Sequence, residues 1–105
     1  MAILVTSSMP GLTKEIYEQM RKDMNWEANP PAGMLCHIAA TEGNGMRVAT
    51  VWSGEQDFNN FVSGKLAPAF QKYNIPKPQP QILQIHNVNT FPGLEKYKIA
   101  SAPTH

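Results

Sequence analysis

Two of the three histidines, His37 and His86, lie in apolar segments that are typical of β-strands. A neutral imidazole can accept or donate a proton near neutral pH, so both residues are candidates for general acid–base catalysis. The alternative is that each histidine is buried and hydrogen-bonded, and helps a subunit interface to pack. The sequence leaves both interpretations open.

The histidines do not predict a metal site. Cys36 directly precedes His37, and adjacent side chains of a strand point to opposite faces, so the two cannot bind one ion together. Two histidines without carboxylates on their strands also fall short of the roughly three or four protein ligands of a usual zinc site. We therefore expect no metal and no other cofactor.

Aromatic residues indicate a second kind of chemistry, the binding of a flat ligand. Trp52 could stack on an aromatic substrate at the end of its strand. Tyr17, Phe58 and Phe61 would line the same cleft on the helix side of the sheet. Arg47 could neutralise an anionic group of that substrate. The alternatives are that the aromatic cluster is hydrophobic core and that Arg47 only flanks a hairpin turn.

Composition and motifs disfavour several function classes. Nine Lys and Arg against eight Asp and Glu give a net charge of +1, so there is no basic excess to bind phosphates and we expect no nucleic-acid partner. An RNA-recognition module would need aromatic residues in its first strand, and residues 2–7 contain none. The chain also lacks a phosphate-binding glycine loop, a Gly-x-Ser-x-Gly elbow and a pair of strand carboxylates for glycoside hydrolysis.

The elements that position these residues follow from hydrophobic spacing and turn residues. Alternation and β-branched content predict four strands, the first of them central, at residues 2–7, 34–40, 46–52 and 81–88. Helical spacing predicts a helix over residues 13–24 with Thr13 as its N-cap. A second helix is predicted to begin at a capping box formed by Ser53 and Gln56 and to break near Gly64.

The resulting order, βαββαβ, is that of a ferredoxin-like α+β fold, in which a four-stranded antiparallel sheet carries both helices on one face. A five-residue turn that pairs Ala40 with Met46 would direct Cys36 toward the helices. The same register would place His37 on the opposite face of the sheet, because successive side chains alternate.

The fourth strand is predicted to turn Leu83 and Ile85 toward the helices and His86 away from them. Both faces of the sheet are then largely apolar, which is unusual on a monomer. Only 16% of residues are charged, against about 25% in a typical soluble chain, which also favours a covered surface. A second copy related by a twofold axis is the economical cover, so we predict a homodimer in which His37 approaches the partner's His86.

Four segments resemble those of a known group of small bacterial proteins: Leu4-Val5-Thr6 with Pro10-Gly11, Pro30-Pro31-Ala32-Gly33-Met34-Leu35-Cys36-His37-Ile38-Ala39, Arg47-Val48-Ala49-Thr50-Val51-Trp52-Ser53, and Ile85-His86-Asn87-Val88. The group is the dimeric α+β barrel superfamily, which includes the antibiotic biosynthesis monooxygenase-like domains, and the resemblance covers roughly residues 2–89. Members that are understood oxidise polycyclic aromatic substrates without metal or flavin, in a pocket between sheet and helices. The superfamily also holds heme-degrading enzymes, chlorite dismutases, muconolactone isomerases and stress-responsive proteins, so fold is implied more strongly than function.

The resemblance thus implies a homodimer with the dimeric α+β barrel fold, which binds a small apolar or aromatic molecule. In the catalytic interpretation it is a cofactor-independent monooxygenase-like enzyme. Trp52 positions the ring, and His37 or His86 removes a phenolic proton so that the anion reacts with oxygen. The alternative is a non-catalytic binding or stress-response module. The resemblance assigns no catalytic residue.

Domain organisation and compartment follow from simple features. Residues 1–89 are predicted to form one domain, and residues 90–105 a tail that docks on the partner subunit. The lone Cys36 cannot form an internal disulfide, so a cytoplasmic location is expected. The apolar run at residues 2–5 is too short for a signal peptide, and no apolar segment reaches the roughly 20 residues that cross a bilayer. We expect no membrane partner.

Overall fold

In the computed structural model, which describes residues 1–99, four strands form one antiparallel sheet. The strands are β1 (Ile3–Met9), β2 (Met34–Glu42), β3 (Gly45–Trp52) and β4 (Gln81–Gln84). Their order in the sheet is β2-β3-β1-β4, so β1 is central and pairs with both β3 and β4. The predicted ferredoxin-like α+β fold is confirmed.

Helices cover one face of this sheet. They are α1 (Lys14–Met24), α2 (Glu55–Phe61), a π-helical segment (Val62–Leu66) and α3 (Ala67–Lys72). A 3-10 helix (Pro92–Tyr97) near the end of the described chain is exposed and does not join them. Thr13 caps α1 as predicted, since its Oγ1 accepts a hydrogen bond from the backbone N–H of Ile16 at 3.2 Å. No helix within residues 1–99 is long and apolar enough to span a membrane.

The start and the middle of the second helical stretch differ from the prediction. Gly54 is the N-cap of α2 and makes no side-chain capping bond, while Ser53 Oγ donates instead to Asp57 Oδ2 at 2.9 Å. Gln56 therefore forms no capping box. Near Gly64 the chain forms the π-helical segment rather than a break and continues directly into α3. Pro68 has no N–H to continue the helical ladder, and the π-helical turn directly before it, in which Ala67 N–H donates to Val62 O, is where the helix accommodates the proline.

The core between sheet and helices has two parts. One surrounds Met20 of α1 and Phe70 of α3, which pack against Met9 and Met46 of the central strands. The other surrounds Trp52, which is completely buried and packs against Phe58 and Phe61 of α2. Since every helix contributes to one of these clusters except the 3-10 helix, the sheet has a helix-covered face and an uncovered one.

The register of β2 is where the sequence prediction is wrong. The hairpin turn is only two residues long, because Glu42 pairs with Gly45, and Ala40 is therefore opposite Arg47 rather than Met46. The pairing is regular from this turn to Cys36, so His37 pairs with Thr50 on the helix-covered face and Cys36 lies on the uncovered face. A β-bulge between Met34 and Cys36 then shifts the alternation by one residue, and Met34 pairs with Trp52.

The fourth strand is shorter than predicted, and its side chains lie on the opposite faces of the sheet from those expected. Leu83 pairs with Leu4 on the uncovered face, while Ile82 pairs with Val5, whose side chain is in the core. The prediction that Leu83 faces the helices is therefore wrong. β4 ends at Gln84, so His86 lies beyond the strand, where it is exposed.

The uncovered face of the sheet is apolar. We call this the open face, and it is formed by Leu4, Cys36, Ile38, Ala49, Val51 and Leu83. Ile38 and Leu83 expose 58% and 54% of their surface, so the face carries more apolar surface than single scattered residues would.

The C-terminal part of the described chain also exposes large apolar side chains. Phe91 is 73% exposed and Tyr97 is 75% exposed, at either end of the 3-10 helix. Docking of the tail on a partner subunit stays a prediction for residues 90–99, and its remaining part, residues 100–105, lies outside the described residues.

Candidate functional site

A cavity of about 390 Å³ lies between the helix-covered face of the sheet and the helices. Its sheet wall includes Val5, Ser7, Met9, Met34, His37, Val48 and Thr50. Its opposite wall is contributed by α1, α2, the π-helical segment and α3, with apolar and aromatic side chains in the majority. A volume of this size is within the range of about 300–1,000 Å³ that is typical of small-molecule sites.

Three aromatic rings form a cluster at one side of this cavity. The ring centroids of Trp26 and His37 are 4.8 Å apart with an interplanar angle of 44°. Tyr17 stacks on His37 at 6.1 Å and 22°, and it lies 6.4 Å from Trp26. Tyr17 comes from α1, Trp26 from the loop after it, and His37 from β2, so the cluster joins three separate segments of the chain.

Burial favours the neutral form of His37. The pKa of His37 is lowered from its usual value, chiefly because burial penalises the charged imidazolium. Arg21 lowers it further, while Glu27 and a backbone hydrogen bond act in the opposite direction. The result is an imidazole that retains a free lone pair below the pH at which an exposed histidine becomes protonated, which is what a base in an apolar cavity requires.

Tyr17 stays protonated for the same physical reason. Burial raises the pKa of Tyr17 to about 12, with a smaller opposing effect of Arg21 and small further increases from Glu18 and Glu27. Its hydroxyl is therefore a donor near neutral pH.

An ion pair lies next to the aromatic cluster. Arg21 Nε lies 2.6 Å from Glu27 Oε1, but the angle is not that of a hydrogen bond, so this buried oxygen has a charge partner and no hydrogen-bond donor in residues 1–99. Arg21 also pairs with Glu18 at 2.9 Å. The positive charge of Arg21 offsets part of the negative charge of Glu18 and Glu27, which limits the net charge near His37.

A second cavity, of about 260 Å³, lies on the other side of Trp26. Trp26 and Phe61 line both cavities, so these two side chains form the partition between them. Asn29 and Lys65 add polar groups to the second cavity.

The structure brings four of the seven candidate site residues to the main cavity. His37, Tyr17, Phe58 and Phe61 line it. The cavity is on the helix side, so the expected position of His37 between two sheets is wrong, and His37 cannot meet the partner's His86 there.

The other three candidates do not line the main cavity. Trp52 is fully buried beside it, and its Nε1 donates to Thr50 Oγ1 at 2.8 Å, which is a core position rather than a stacking platform. Arg47 is exposed on the hairpin, where its Nε donates to Glu42 Oε2 at 2.7 Å. His86 is exposed beyond β4.

Sequence reasoning missed several lining residues. Trp26 follows the left-handed C-cap Asn25 of α1 and is outside the helical periodicity, so its position had no pattern to reveal it. Lys77 lies within a proline-rich segment whose composition is typical of a connector. Asn59 and Gln71 are polar positions on helices and resemble ordinary solvated residues. Only the packing of the helices on the sheet brings all four to one cavity.

The described residues contain no cluster of three or more His, Cys, Asp or Glu side chains that could hold a metal ion. The main cavity instead offers aromatic surface, one neutral imidazole and a few hydroxyl and amide groups. Such a set can bind a flat molecule and move a proton.

Comparison with known proteins shows the fold. No protein-family model and no curated protein matches the chain. A putative antibiotic biosynthesis monooxygenase from Chloroflexus aurantiacus has a similar structure, with a TM-score of 0.55 and 9% identity over 85% of this chain and 98% of that one. The cofactor-independent oxygenase SnoaB from Streptomyces nogalater has a TM-score of 0.53 and 14% identity over 87% and 95%. The heme-degrader MhuD from Mycobacterium tuberculosis has a TM-score of 0.50 and 11% identity over 86% and 100%.

These similar structures confirm the resemblance to antibiotic biosynthesis monooxygenase-like proteins at the level of the α+β fold. At 9–14% identity they show a shared architecture rather than a shared activity.

The lowered pKa of His37 predicts a pH-dependent stability. The unfolded chain binds a proton at His37 near the usual pKa, whereas the folded protein binds it only at lower pH, so folding stability falls as pH decreases below about 6.5 and is independent of His37 well above it. Urea unfolding of the wild type and of His37→Gln between about pH 5 and 8 measures the difference. We expect the wild type to lose more stability on acidification than His37→Gln.

His86→Gln provides the matched control, because His86 is exposed. It should retain the pH dependence of the wild type. Equal slopes for the wild type and His37→Gln would show that His37 is not buried in the neutral form.

Proposed function

We propose that the main cavity binds a flat, largely apolar aromatic molecule, and that the protein oxidises this molecule with dioxygen in a monooxygenase-like reaction that uses no metal or flavin. The observation that carries the proposal is one neutral base, His37, in the wall of an aromatic cavity of about 390 Å³. The cavity lies within one chain, so each subunit has a complete site.

Binding follows from the chemistry of the lining. Phe58, Phe61, Phe70 and Trp26 present aromatic surface, and the methionines add polarisable contacts that adapt to the shape of a ring system. Transfer of an apolar ring from water to this lining contributes roughly 25 cal/mol for each Å² that is buried. The few polar groups then select orientation.

The reaction begins with proton removal. A phenol, or its keto tautomer with an acidic C–H bond, gives a proton to His37, and the resulting carbanion-like ring reacts with dioxygen. For a three-ring phenol with a ring methylene, the balanced change is CH2 + O2 → C=O + H2O. One oxygen atom enters the ring as the carbonyl, and the other leaves as water with the two hydrogens of the methylene. The substrate is oxidised and dioxygen is reduced, so no further reductant is needed.

The shared fold supports this proposal. SnoaB is described as a cofactor-independent oxygenase, and MhuD as a heme-degrader with two hemes bound in its active site. Both therefore handle ligands in this architecture, and for SnoaB the chemistry requires no cofactor. The free thiol of Cys36 is compatible with the cytoplasmic location that the sequence predicts.

The proposal includes a homodimer in which the open face of one subunit packs on the open face of another. Ile38 and Leu83 would leave water on association, and a self-complementary apolar sheet is the surface that a twofold interface requires.

A non-catalytic binding module is the second candidate. The observation that favours it is the stacking of Tyr17 on His37, because a ring held between neighbours can serve as part of the wall without moving a proton. The two candidates agree on the cavity and differ on the role of His37.

Ligand binding can be tested with N-phenyl-1-naphthylamine, an uncharged aromatic dye whose emission rises in apolar surroundings. We expect saturable binding to the wild type. Ala67→Phe, which adds a ring at the cavity wall, should weaken binding by about tenfold or more, since its side chain occupies the volume the dye needs. Ile38→Lys on the open face should bind as the wild type does. Loss of binding in Ile38→Lys but not in Ala67→Phe would place the dye on the open face and contradict the proposal.

Catalysis can be tested with 1,8-dihydroxyanthrone and an oxygen electrode. The wild type should consume one dioxygen for each anthraquinone formed, faster than the reaction without protein. His37→Gln should lower the rate by about 10²-fold or more, the usual contribution of a general base. His86→Gln should have the wild-type rate.

An equal rate for His37→Gln, with dye binding retained, would favour the non-catalytic candidate. Both histidine variants require circular dichroism spectra like that of the wild type.

The dimer can be tested by light scattering coupled to size-exclusion chromatography. The wild type should have twice the mass of one chain at micromolar concentration. Ile38→Lys and Leu83→Lys should shift it toward the monomer, because each places a charge in an apolar interface. Asn44→Lys at the exposed tip of the hairpin adds the same charge elsewhere and should leave the dimer intact. A monomeric wild type would refute the role of the open face.

A further inference from the structure

Lys77 is the only ionised side chain in the wall of the main cavity as residues 1–99 define it. The other polar side chains that line it are Ser7, Tyr17, His37, Thr50, Asn59 and Gln71. Burial lowers the pKa of His37, which favours its neutral form. No carboxylate lines the cavity, so the lining favours a ligand that carries a negative charge over one that carries a positive charge.

The backbone around Lys77 is fixed at both ends. Ile75 is 92% buried, since only 8% of its surface is exposed, and its N–H donates to Phe70 O at 2.9 Å. Gln81 begins β4 and pairs with Thr6. Between these points lie three prolines, at positions 76, 78 and 80, whose rings restrict φ. The segment thus holds Lys77 at the rim of the cavity, where Pro78 and Pro80 line it as well.

Lys77 has no carboxylate partner within residues 1–99, whereas Arg21 and Lys72 do. Arg21 pairs with Glu18 and Glu27. Lys72 pairs with Asp23 at 3.0 Å, and the Lys72 and Tyr73 groups lower the pKa of Asp23 to about 2, with Tyr73 as the larger cause. The ion pairs of the described residues do not include Lys77. Its ammonium group is therefore free to bind an anion from outside the chain.

Two amide side chains line the same cavity as Lys77. Gln71 is on α3, and the chain turns back directly after it, where Asn74 N donates to Gln71 O at 3.3 Å. Asn59 is on α2. Amide NH2 groups donate to the same carboxylate or sulfonate oxygens that an ammonium group binds. The amide donors come from helices and His37 comes from the sheet, and all of them line the same cavity.

We propose that the ligand is an aromatic organic acid, with its ring system in the main cavity and its carboxylate or sulfonate group at Lys77. This inference rests on the proposed binding function of the cavity but not on the oxidation reaction. It gives the ligand one orientation in the cavity: the acid group binds Lys77, and the ring system approaches His37.

A matched pair of dyes tests the inference. N-phenyl-1-naphthylamine and 8-anilino-1-naphthalenesulfonate share one scaffold and differ in the sulfonate group. The wild type should prefer the sulfonate, and Lys77→Gln should weaken its binding by about fivefold, the upper range for a solvent-accessible charge pair. The same variant should bind the uncharged dye within about twofold of the wild type. Lys77→Arg retains the charge and should restore most of the preference.

Salt provides an independent readout that packing alone would not change. Raising NaCl from about 0.01 M to about 1 M shortens the Debye length from about 30 Å to about 3 Å. The preference of the wild type for the sulfonate should shrink over this range, and the small remaining preference of Lys77→Gln should change less. The binding counted is the part of the dye signal that Ala67→Phe abolishes.

Lys65→Gln is the control, because Lys65 is also exposed and lines the second cavity instead. It should bind both dyes as the wild type does. Weaker sulfonate binding in Lys65→Gln but not in Lys77→Gln would overturn the inference and place the anion in the second cavity. Binding of the uncharged dye without any preference for the sulfonate would overturn the inference alone, whereas failure of both dyes to bind would overturn the proposed function with it.

Discussion

The register of the β2–β3 hairpin is the constraint on which the site depends. The two-residue turn pairs Glu42 with Gly45, and the regular ladder from there to Cys36 places His37 opposite Thr50 on the helix-covered face. The β-bulge between Met34 and Cys36 adds one residue to β2, so Met34 lies on the same face as His37 although the two are three positions apart. The imidazole therefore reaches the cavity, where Tyr17 and Trp26 cover it and burial lowers its pKa.

The same register explains which parts of the structure could be predicted from the sequence. Order and type of the elements were predictable, because the helical spacing of α1 and the alternation in β1 and β3 are distinct. In β3 the residues Met46, Val48, Thr50 and Trp52 face the helices as expected. Segment 34–42 has small or apolar residues on both faces, so its alternation does not show which residues face the helices. Its register depends instead on a bulge and on where a two-residue turn falls, and the residues Gly43-Asn44-Gly45 fit more than one placement of that turn.

The site itself was predictable only in part, for a related reason. Tyr17, Phe58 and Phe61 follow helical periodicity, so their common face could be inferred. Trp26 lies in a loop, and Lys77 in a proline-rich segment. Both residues reach the cavity because of the path that these segments take between the packed helices and strands. Trp52 shows the opposite error: a large aromatic residue at a strand end suggests a ligand platform, yet complete burial and a bond from its N–H to Thr50 make it core.

One strand contributes to both faces of the sheet. His37 lines the cavity, and its neighbours Cys36 and Ile38 lie on the open face. The alternation of side chains along a strand lets the two faces carry different functions. If two copies pack through the open face, that contact covers Cys36 and Ile38 and adds no side chain to the cavity, whose lining comes from one chain. The proposed dimer and the proposed site are therefore separable, and a substitution on the open face can test the first without removing the second.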